Sequence, residues 1–310
     1  MAPAARAVSL LAVAALILGG CSDEERTGVG RPVAPEPGGT LTIAVADGID
    51  TLDPLRVSNR AERLASRQIY EPLRTWQTGP FGNMKRRPGI ARSFRANQKR
   101  TVWTAALRRD VTFQSGEPLD ADAVLSNVER WVRSDAGRAL LPDLTAADSP
   151  RPGRVRFILD EPVKRFPLAL ADPRFGLVAP GPLIGLGSSA ARLDAGGTGP
   201  FEYRGRDGGS VLLARNADWW GTPLGLGPGV DQVDLTIDPG AGQRVAELLG
   251  GTIEVADDVG RQAIDRIEAA PLLTAVGGRG ATVGLERSVR GIDSATAVQS
   301  LADVWLTDLR

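Results

Sequence analysis

The chain has 310 residues, 42% hydrophobic and 24% charged, which fits a globular protein and excludes a disordered, collagen-like or polytopic membrane chain. Its 37 basic residues balance its 37 acidic ones, and this zero formal charge argues against a nucleic-acid partner, which requires a positive surface. Histidine is absent and Cys21 is the sole cysteine, so His-based catalysis, His or thiolate metal sites and internal disulfides are excluded. We expect no metal and no cofactor.

The first 21 residues are typical of a secretion signal. Arg6 supplies a positive charge, and Leu10–Leu18 is an apolar run too short to span a bilayer as a helix. Leu18-Gly19-Gly20-Cys21 resembles a bacterial lipobox, whose cysteine is acylated after cleavage. We predict a signal peptide over 1–20, a lipidated Cys21 with a flexible tether over 21–38, and an extracytoplasmic, lipid-anchored location at the cell membrane. The alternative is an unmodified cysteine at the end of an ordinary signal.

Apolar periodicity and turn residues predict mixed strands and helices after the tether. Strands are predicted over 41–46, 100–106, 111–113, 154–159, 211–214, 230–237, 272–276 and 281–285. Helices are predicted over 60–70, 121–133, 241–249 and 260–269, and residues 298–306 fit either type. In the helix over 121–133, Asp120 is a good N-cap, and Val124, Val128 and Trp131 share one face. Strands and helices without regular alternation predict a mixed α/β (α+β) fold.

The segment from Val111 to Val124 is predicted to form a strand, a tight turn and a capped helix start, and one interpretation is that every residue in it serves folding alone. It also resembles a hallmark of the family 5 extracellular solute-binding proteins, the peptide and nickel receptors of ABC importers. The matching residues are Phe113, Gly116, Glu117, Pro118, Leu119, Ala121 and Val124, whereas Ser115 and Ala123 depart from the commoner residues.

Five further segments resemble family motifs, in the family's order and spacing. They are Gly38–Leu41 with Leu52–Pro54, Ile69–Leu73, Pro88–Phe94, Gly197–Phe201 and Arg215–Gly221. No single segment is specific, but their order makes coincidence improbable.

The resemblance implies a non-enzymatic receptor with the first lobe of a periplasmic-binding-protein type II fold. That lobe is expected over 39–290 with a C-terminal return segment over 291–310, and the second lobe is expected to be absent. The implied partners are a peptide or other small solute, ABC permease subunits, and the membrane through the lipid anchor. The rival hypothesis is a one-lobe surface lipoprotein with a structural or interaction role; a homodimer that rebuilds the cleft and a surface hydrolase are more distant alternatives.

The resemblance places the ligand near the loop that follows the first strand. The expected ligand-binding residues are Arg56, Asn59, Arg60, Arg63, Arg138, Thr198 and Gly199. Guanidinium groups there would pair with a peptide carboxylate, and the alternative is a solvated helix start. Gly197-Thr198-Gly199-Pro200 lacks the Gly-Lys-Ser/Thr of a phosphate loop and is better explained as a tight crossing. Trp76, Trp103, Trp131, Trp219 and Trp220 are expected in the core, with ligand contact as the alternative.

Overall fold

The computed structural model describes residues 38–78, 84–86, 88–180, 196–260, 263, 266, 267, 273–276 and 282–285, all within one compact unit over Pro35–Arg310. The predicted signal peptide, Cys21, nearly all of the tether and the segments over 291–310 and 298–306 lie outside these residues and stay predictions. No helix in the described part of the chain is long and apolar enough to cross a membrane.

The described elements alternate irregularly along the chain. The strands are β1 (Thr40–Val45), β2 (Trp76–Thr78), β3 (Met84–Arg86), β4 (Ala91–Ala96), β5 (Val102–Leu107), β6 (Leu144–Arg151), β7 (Arg154–Leu159), β8 (Phe201–Asp207), β9 (Ser210–Arg215), β10 (Gln232–Ile237), β11 (Val255–Ala256), β12 (Leu273–Val276) and β13 (Thr282–Leu285). The helices are α1 (Arg60–Ile69), α2 (Ala121–Arg133), α3 (Asp135–Leu140), α4 (Phe166–Ala169) and α5 (Ala241–Gly250), with 3₁₀ turns at Pro173–Phe175 and Thr222–Leu224.

β1 is the central strand of a mixed sheet with the order β12-β13-β11-β1-β10-β9-β8. It runs parallel to β10 on one side and to β11 on the other, and the remaining neighbours are antiparallel. Ile43 and Val45 pack in the same cluster as Leu64 of α1, whereas Ala44 packs with Val245 of α5. Helices therefore cover both faces of β1, as a parallel strand requires.

A second, antiparallel sheet has the order β4-β5-β7-β6, and α2 packs against β6 and β7. Val155 and Phe157 of β7 lie on the face that is buried in the core. On α2, the predicted stripe Val124, Val128 and Trp131 is buried in the same core cluster as Phe157 of β7. The ring of Trp131 meets that of Phe175 edge-on, with their centroids 5.0 Å apart. A short hairpin, β2–β3, forms a third sheet.

The structure confirms the mixed α/β class and most of the predicted elements. α2 and β7 have the predicted bounds, and the Ala123 amide donates to Asp120 Oδ1 at 2.9 Å, which confirms the cap. The predicted strand over 111–113 is wrong, because Thr112 forms only an isolated bridge to Pro118. Six strands were not predicted: β2, β3, β4, β6, β8 and β11. In β4, β6 and β8, exposed polar residues break the apolar alternation, whereas β2, β3 and β11 are only two or three residues long. Of the helix over 260–269, only residues 263, 266 and 267 are described.

Residues 196–200 cross closely against the end of α1. The Gly199 amide donates to the Ile69 carbonyl at 2.8 Å. A Cβ atom built on Gly197 would overlap that carbonyl oxygen, and one built on Gly199 would overlap the carbonyl oxygen of Gln68. The prediction of a tight crossing between strands is thus wrong in its partner, which is a helix end, and close backbone approach, not positive φ, is why glycine is needed at 197 and 199.

We predict that Gly197→Ala lowers the free energy of unfolding by about 3 kcal/mol, because the methyl group overlaps backbone that cannot move independently. Gly242→Ala is the matched control, since nothing lies within 4 Å of a Cβ there and the residue is helical. The control should gain about 0.5–1 kcal/mol. Urea unfolding followed by circular dichroism measures both, and equal midpoints for the two variants would refute the crossing argument.

Candidate functional site

The candidate site lies at the carboxyl end of β1. Residues 46–59, which we call the β1–α1 loop, follow this strand directly. Because β10 and β11 run parallel to β1, Asp238 and Asp257, which follow those two strands, lie at the same edge of the sheet. In open α/β sheets, ligands bind beyond the carboxyl ends of parallel strands, so this edge is where a solute is expected.

The carboxylate of Glu62 holds both ends of the β1–α1 loop. Its Oε1 accepts the amides of Asp50 and Thr51, each at 3.2 Å. Its Oε2 accepts the Ser58 amide at 2.7 Å, the Ser58 hydroxyl at 3.0 Å and the Asn59 amide at 3.4 Å. Glu62 is only 2% exposed. One buried side chain on the first turn of α1 therefore fixes the shape of the loop.

Burial by itself would raise the pKa of Glu62, but the hydrogen bonds from Ser58, Asp50 and Asn59 outweigh it, so the pKa lies below its usual value. The group is therefore ionised at neutral pH. A carboxylate that receives several N–H donors is also better held than a neutral acceptor in the same place.

Asn59 closes the loop as the N-cap of α1. Its side chain accepts the Glu62 amide at 2.9 Å and donates to the Gly48 carbonyl at 2.8 Å. With the Glu62 side chain bonded to the Asn59 amide, the two residues form a capping box. The sequence signal Asn-x-x-Glu was present, although Glu62 was not among the predicted site residues.

Charged side chains tie the loop to neighbouring elements. Arg60 Nε donates to both carboxylate oxygens of the buried Asp257, at 2.8 and 2.9 Å. Asp53 contacts Arg130 of α2 through Nη2, and the Arg206 guanidinium contacts the Ile49 carbonyl. Residues of α2 and β8, and the residue that follows β11, therefore hold the candidate site in place.

A buried arginine fixes the other strand ends at this edge. Arg244 of α5 is 1% exposed and donates from Nε to the Asp257 carbonyl at 2.8 Å, from Nη2 to the Asp258 carbonyl at 2.6 Å, and from Nη1 to the Asp238 carbonyl at 2.5 Å. Asp258 has a φ of 52°, in the left-handed region. The guanidinium therefore satisfies carbonyl groups that a turn beyond β11 would otherwise leave unpaired.

The structure brings four of the predicted ligand residues together at the start of α1, but in different roles. Arg56 is exposed in the loop, and Arg63 is partly exposed with Nη1 3.5 Å from the Ser58 carbonyl. Asn59 and Arg60 are engaged in the cap and in the ion pair with Asp257. Of the four, Arg56 is the exposed one.

The remaining predicted residues lie elsewhere. Arg138 is on α3, where Nη1 donates to the Arg133 carbonyl at 2.7 Å and Nη2 contacts Asp135. Thr198 is fully buried, and the Gly199 carbonyl accepts from Gln114 Nε2 at 3.2 Å. Their predicted ligand contacts stay predictions, and a solute would reach Thr198 or Gly199 only if the crossing opened.

The tryptophan pair is structural. Trp219 Nε1 and Trp220 Nε1 both donate to Glu71 Oε2, at 3.2 and 2.7 Å, and both rings are buried. Both rings are in the core, as expected. They do not alternate as strand residues would, because the chain leaves β9 at Arg215 and turns, with the Trp219 amide donating to the Asn216 carbonyl at 3.3 Å.

The other tryptophans differ in burial. Trp131 is in the core, as expected, and Trp103 is partly buried with Nε1 donating to the Val163 carbonyl at 3.2 Å. The side chain of Trp76 is outside the described residues.

Within the described ranges, no three acidic or thiol side chains gather where a metal ion would bind.

Comparison with known proteins identifies the family. The family described as bacterial extracellular solute-binding proteins, family 5 Middle, matches residues 85–288. The chain belongs to this family. Its members are solute-binding proteins and not enzymes.

Two curated family 5 relatives show the range of solutes in their names. The chain is 26% identical over 231 residues to the probable D,D-dipeptide-binding periplasmic protein DdpA of Escherichia coli K12, which covers 72% of this chain and 44% of the relative. It is 26% identical over 167 residues to the glutathione-binding protein GsiB of the same organism, covering 52% and 31%. The chain therefore spans less than half the length of these relatives.

Solved structures share the fold. The PBP AgaA from A. tumefaciens R10, in complex with agropinic acid, is 21% identical with a TM-score of 0.68, over 77% of this chain and 48% of that one. The oligopeptide-binding protein AppA from Bacillus subtilis, in complex with a nonapeptide, is 20% identical with a TM-score of 0.66, over 78% and 48%. The fold is that of about half of a family 5 protein.

We predict that Glu62→Gln lowers the free energy of unfolding at pH 7 by about 2–4 kcal/mol, because the amide presents N–H groups to backbone donors. Since the native state depresses this pKa below 4.5, the contribution of Glu62 is complete above pH 4.5 and disappears as pH falls through the folded-state pKa. Urea unfolding at pH 7 and pH 3.5, with the exposed Glu117→Gln as control, measures this. An unchanged gap between Glu62→Gln and wild type at the two pH values would contradict it.

For Glu71 we predict the opposite pH dependence of the free energy of unfolding. Burial raises its pKa from 4.5 to about 7, against the lowering effect of the two indole N–H groups. The native state therefore holds the proton more tightly, so the carboxyl favours folding most below pH 4.5, and this advantage is lost between pH 4.5 and 7. Relative to Glu71→Gln, which keeps an acceptor for the indoles, wild type should lose about 3 kcal/mol across that range. If the difference in unfolding free energy between wild type and Glu71→Gln did not change with pH, the raised pKa of Glu71 would be contradicted.

Proposed function

We propose that the chain is the solute-binding body of a membrane-anchored extracellular receptor for an ABC importer, and that it captures oligopeptides or similar small solutes. The observation that carries this proposal is the preorganised β1–α1 loop at the carboxyl edge of parallel strands, in a chain of family 5. The loop needs no rearrangement to present Arg56, since Glu62 already bonds the backbone of the loop on both sides of this residue. Preorganisation lowers the entropy lost on binding.

The chemistry of the edge supports an anionic group on the solute. Arg56 is exposed in the loop, and a guanidinium group pairs with a carboxylate through two parallel hydrogen bonds. Relatives bind, by name, a D,D-dipeptide and glutathione, and related folds hold a nonapeptide and agropinic acid. A peptide C-terminus is a carboxylate of this kind.

The cellular partners follow from the same proposal. ABC permease subunits would receive the solute, and acylation of Cys21 would hold the receptor at the extracytoplasmic membrane surface. No nucleic acid takes part, in agreement with the zero formal charge.

The expected affinity is low. A micromolar peptide is bound with about −8 kcal/mol, and if the surface described here supplies half of that energy, the dissociation constant is near millimolar. The binding experiment must therefore reach concentrations of about 10 mM.

We predict that the full chain binds the peptide Ser-Thr-Ser-Ala with a dissociation constant near 1 mM, and the peptide's C-terminal amide at least fivefold more weakly, because the amide lacks the carboxylate. Arg56→Ala should weaken binding of the acid to the level of the amide. Isothermal titration measures both, with the exposed Arg109→Ala as a charge-matched control. Absence of binding to this peptide, glutathione and agropinic acid at 10 mM would overturn the receptor proposal and favour a lipoprotein with an interaction role.

A further inference from the structure

The antiparallel sheet β4-β5-β7-β6 has a basic outer face. Val155 and Phe157 of β7 are buried in the core, so the alternation of the strand places Arg154 and Arg156 on the opposite face. Arg156 is exposed and Arg154 partly so. The face that α2 leaves uncovered therefore carries guanidinium groups where an ordinary solvated sheet carries mixed charges.

The register brings further arginines beside these two. In one row across the sheet, Arg95 pairs with Thr104, Thr104 with Arg156, and Arg156 with Asp148. Arg95 and Arg156 are thus two strands apart, about 10 Å. The carboxylate in this row, Asp148, is already bonded to Arg156, with Oδ1 2.7 Å from Nε, so it leaves the charge of Arg95 uncompensated.

The next row contains a like-charge pair. Arg151 and Arg154 are direct cross-strand partners on either side of the turn at Pro152-Gly153. Like charges placed directly opposite each other destabilise a sheet. Folding therefore gains nothing from this pair, and an anion bound between the two guanidinium groups would remove the repulsion.

From this arrangement we propose that Arg95, Arg151, Arg154 and Arg156, which we call the arginine face, dock the protein on an anionic phospholipid surface. Guanidinium groups bind phosphate through paired hydrogen bonds, and a sheet face about 15 Å across its four strands is broad enough to lie along a bilayer. The proposed lipid anchor at Cys21 enters only as the reason why the bilayer is near, since residues 22–38 span at most about 60 Å. The inference rests on the proposed function in that one respect.

The test compares two triple variants of the full chain. The face variant is Arg95→Gln, Arg151→Gln and Arg154→Gln, which leaves the Arg156–Asp148 pair intact. The control variant is Arg109→Gln, Arg133→Gln and Arg204→Gln, which removes the same charge from exposed positions outside the face. Both retain Cys21 and the apolar segment before it, so any hydrophobic anchoring is equal in the two proteins.

Cosedimentation with vesicles of phosphatidylcholine containing 30% phosphatidylglycerol, at 20 mM salt, supplies the readout. Each basic residue near an anionic surface contributes about 1 kcal/mol, so the face variant should partition roughly 100-fold more weakly than wild type, while the control stays within about threefold of it. The difference should vanish on pure phosphatidylcholine, and fall steeply at 300 mM salt because screening shortens the reach of the charges.

Equal partitioning of the two variants overturns the proposal. So does face-dependent binding of polyglutamate without face-dependent binding of vesicles, which would assign the arginine face to an acidic protein instead. Titration with Ser-Thr-Ser-Ala is run in parallel, and since neither variant touches the β1–α1 loop, its result reports on solute binding separately from membrane docking. Circular dichroism confirms that both variants are folded.

Discussion

The candidate site depends on one buried carboxylate. Glu62 sits on the first turn of α1, and its two oxygens divide their hydrogen bonds between the start and the end of the β1–α1 loop. A loop of this length would otherwise lose considerable entropy each time it adopted one shape. Because the carboxylate is fixed by the helix, and the helix by its packing on β1, the shape of the site is transmitted from the core outward.

The buried charged groups named above stabilise loops and turns, and not the packing of helices on the sheets. Arg244 bonds carbonyl groups beyond β10 and β11, Glu71 joins the end of α1 to the Trp219–Trp220 turn, and Asp257 anchors Arg60. Burying any of these charges alone would cost several kcal/mol, and each is repaid by hydrogen bonds that turns and loops need. The compensation is incomplete for Glu71. Burial outweighs the hydrogen bonds from the two indole donors, and the pKa of Glu71 therefore rises to about 7.

Local sequence patterns predicted the elements well where a single physical signal dominated. The Asp120 cap and the apolar stripe of α2 fixed that helix to the residue, and the alternation in β7 did the same for a strand. β4 and β6 were not predicted, because their outer faces are polar and they are stabilised by pairing with other strands of the sheet. The loop after β1 and Arg56, Asn59, Arg60 and Arg63 were named from the sequence, and their contact with a ligand stays a prediction. Glu62 was not named although its Asn-x-x-Glu signal is local, whereas Asp257 could not be named because its partner Arg60 is 197 positions away.

The sequence by itself determined the class of fold, the Asp120 cap of α2, the absence of histidine chemistry and the ordered motifs that resemble family 5. These are properties of neighbouring residues or of composition, and they need no knowledge of what meets in space. Tertiary structure decided which charges face solvent and which are consumed in holding the chain. Asn59, Arg60 and Arg63 look alike as polar residues at a helix start, yet Asn59 caps, Arg60 pairs with a residue 197 positions away, and Arg63 remains partly exposed. For Arg60 the packing of β11 beside β1 decides its role, because it brings Asp257 to the start of α1.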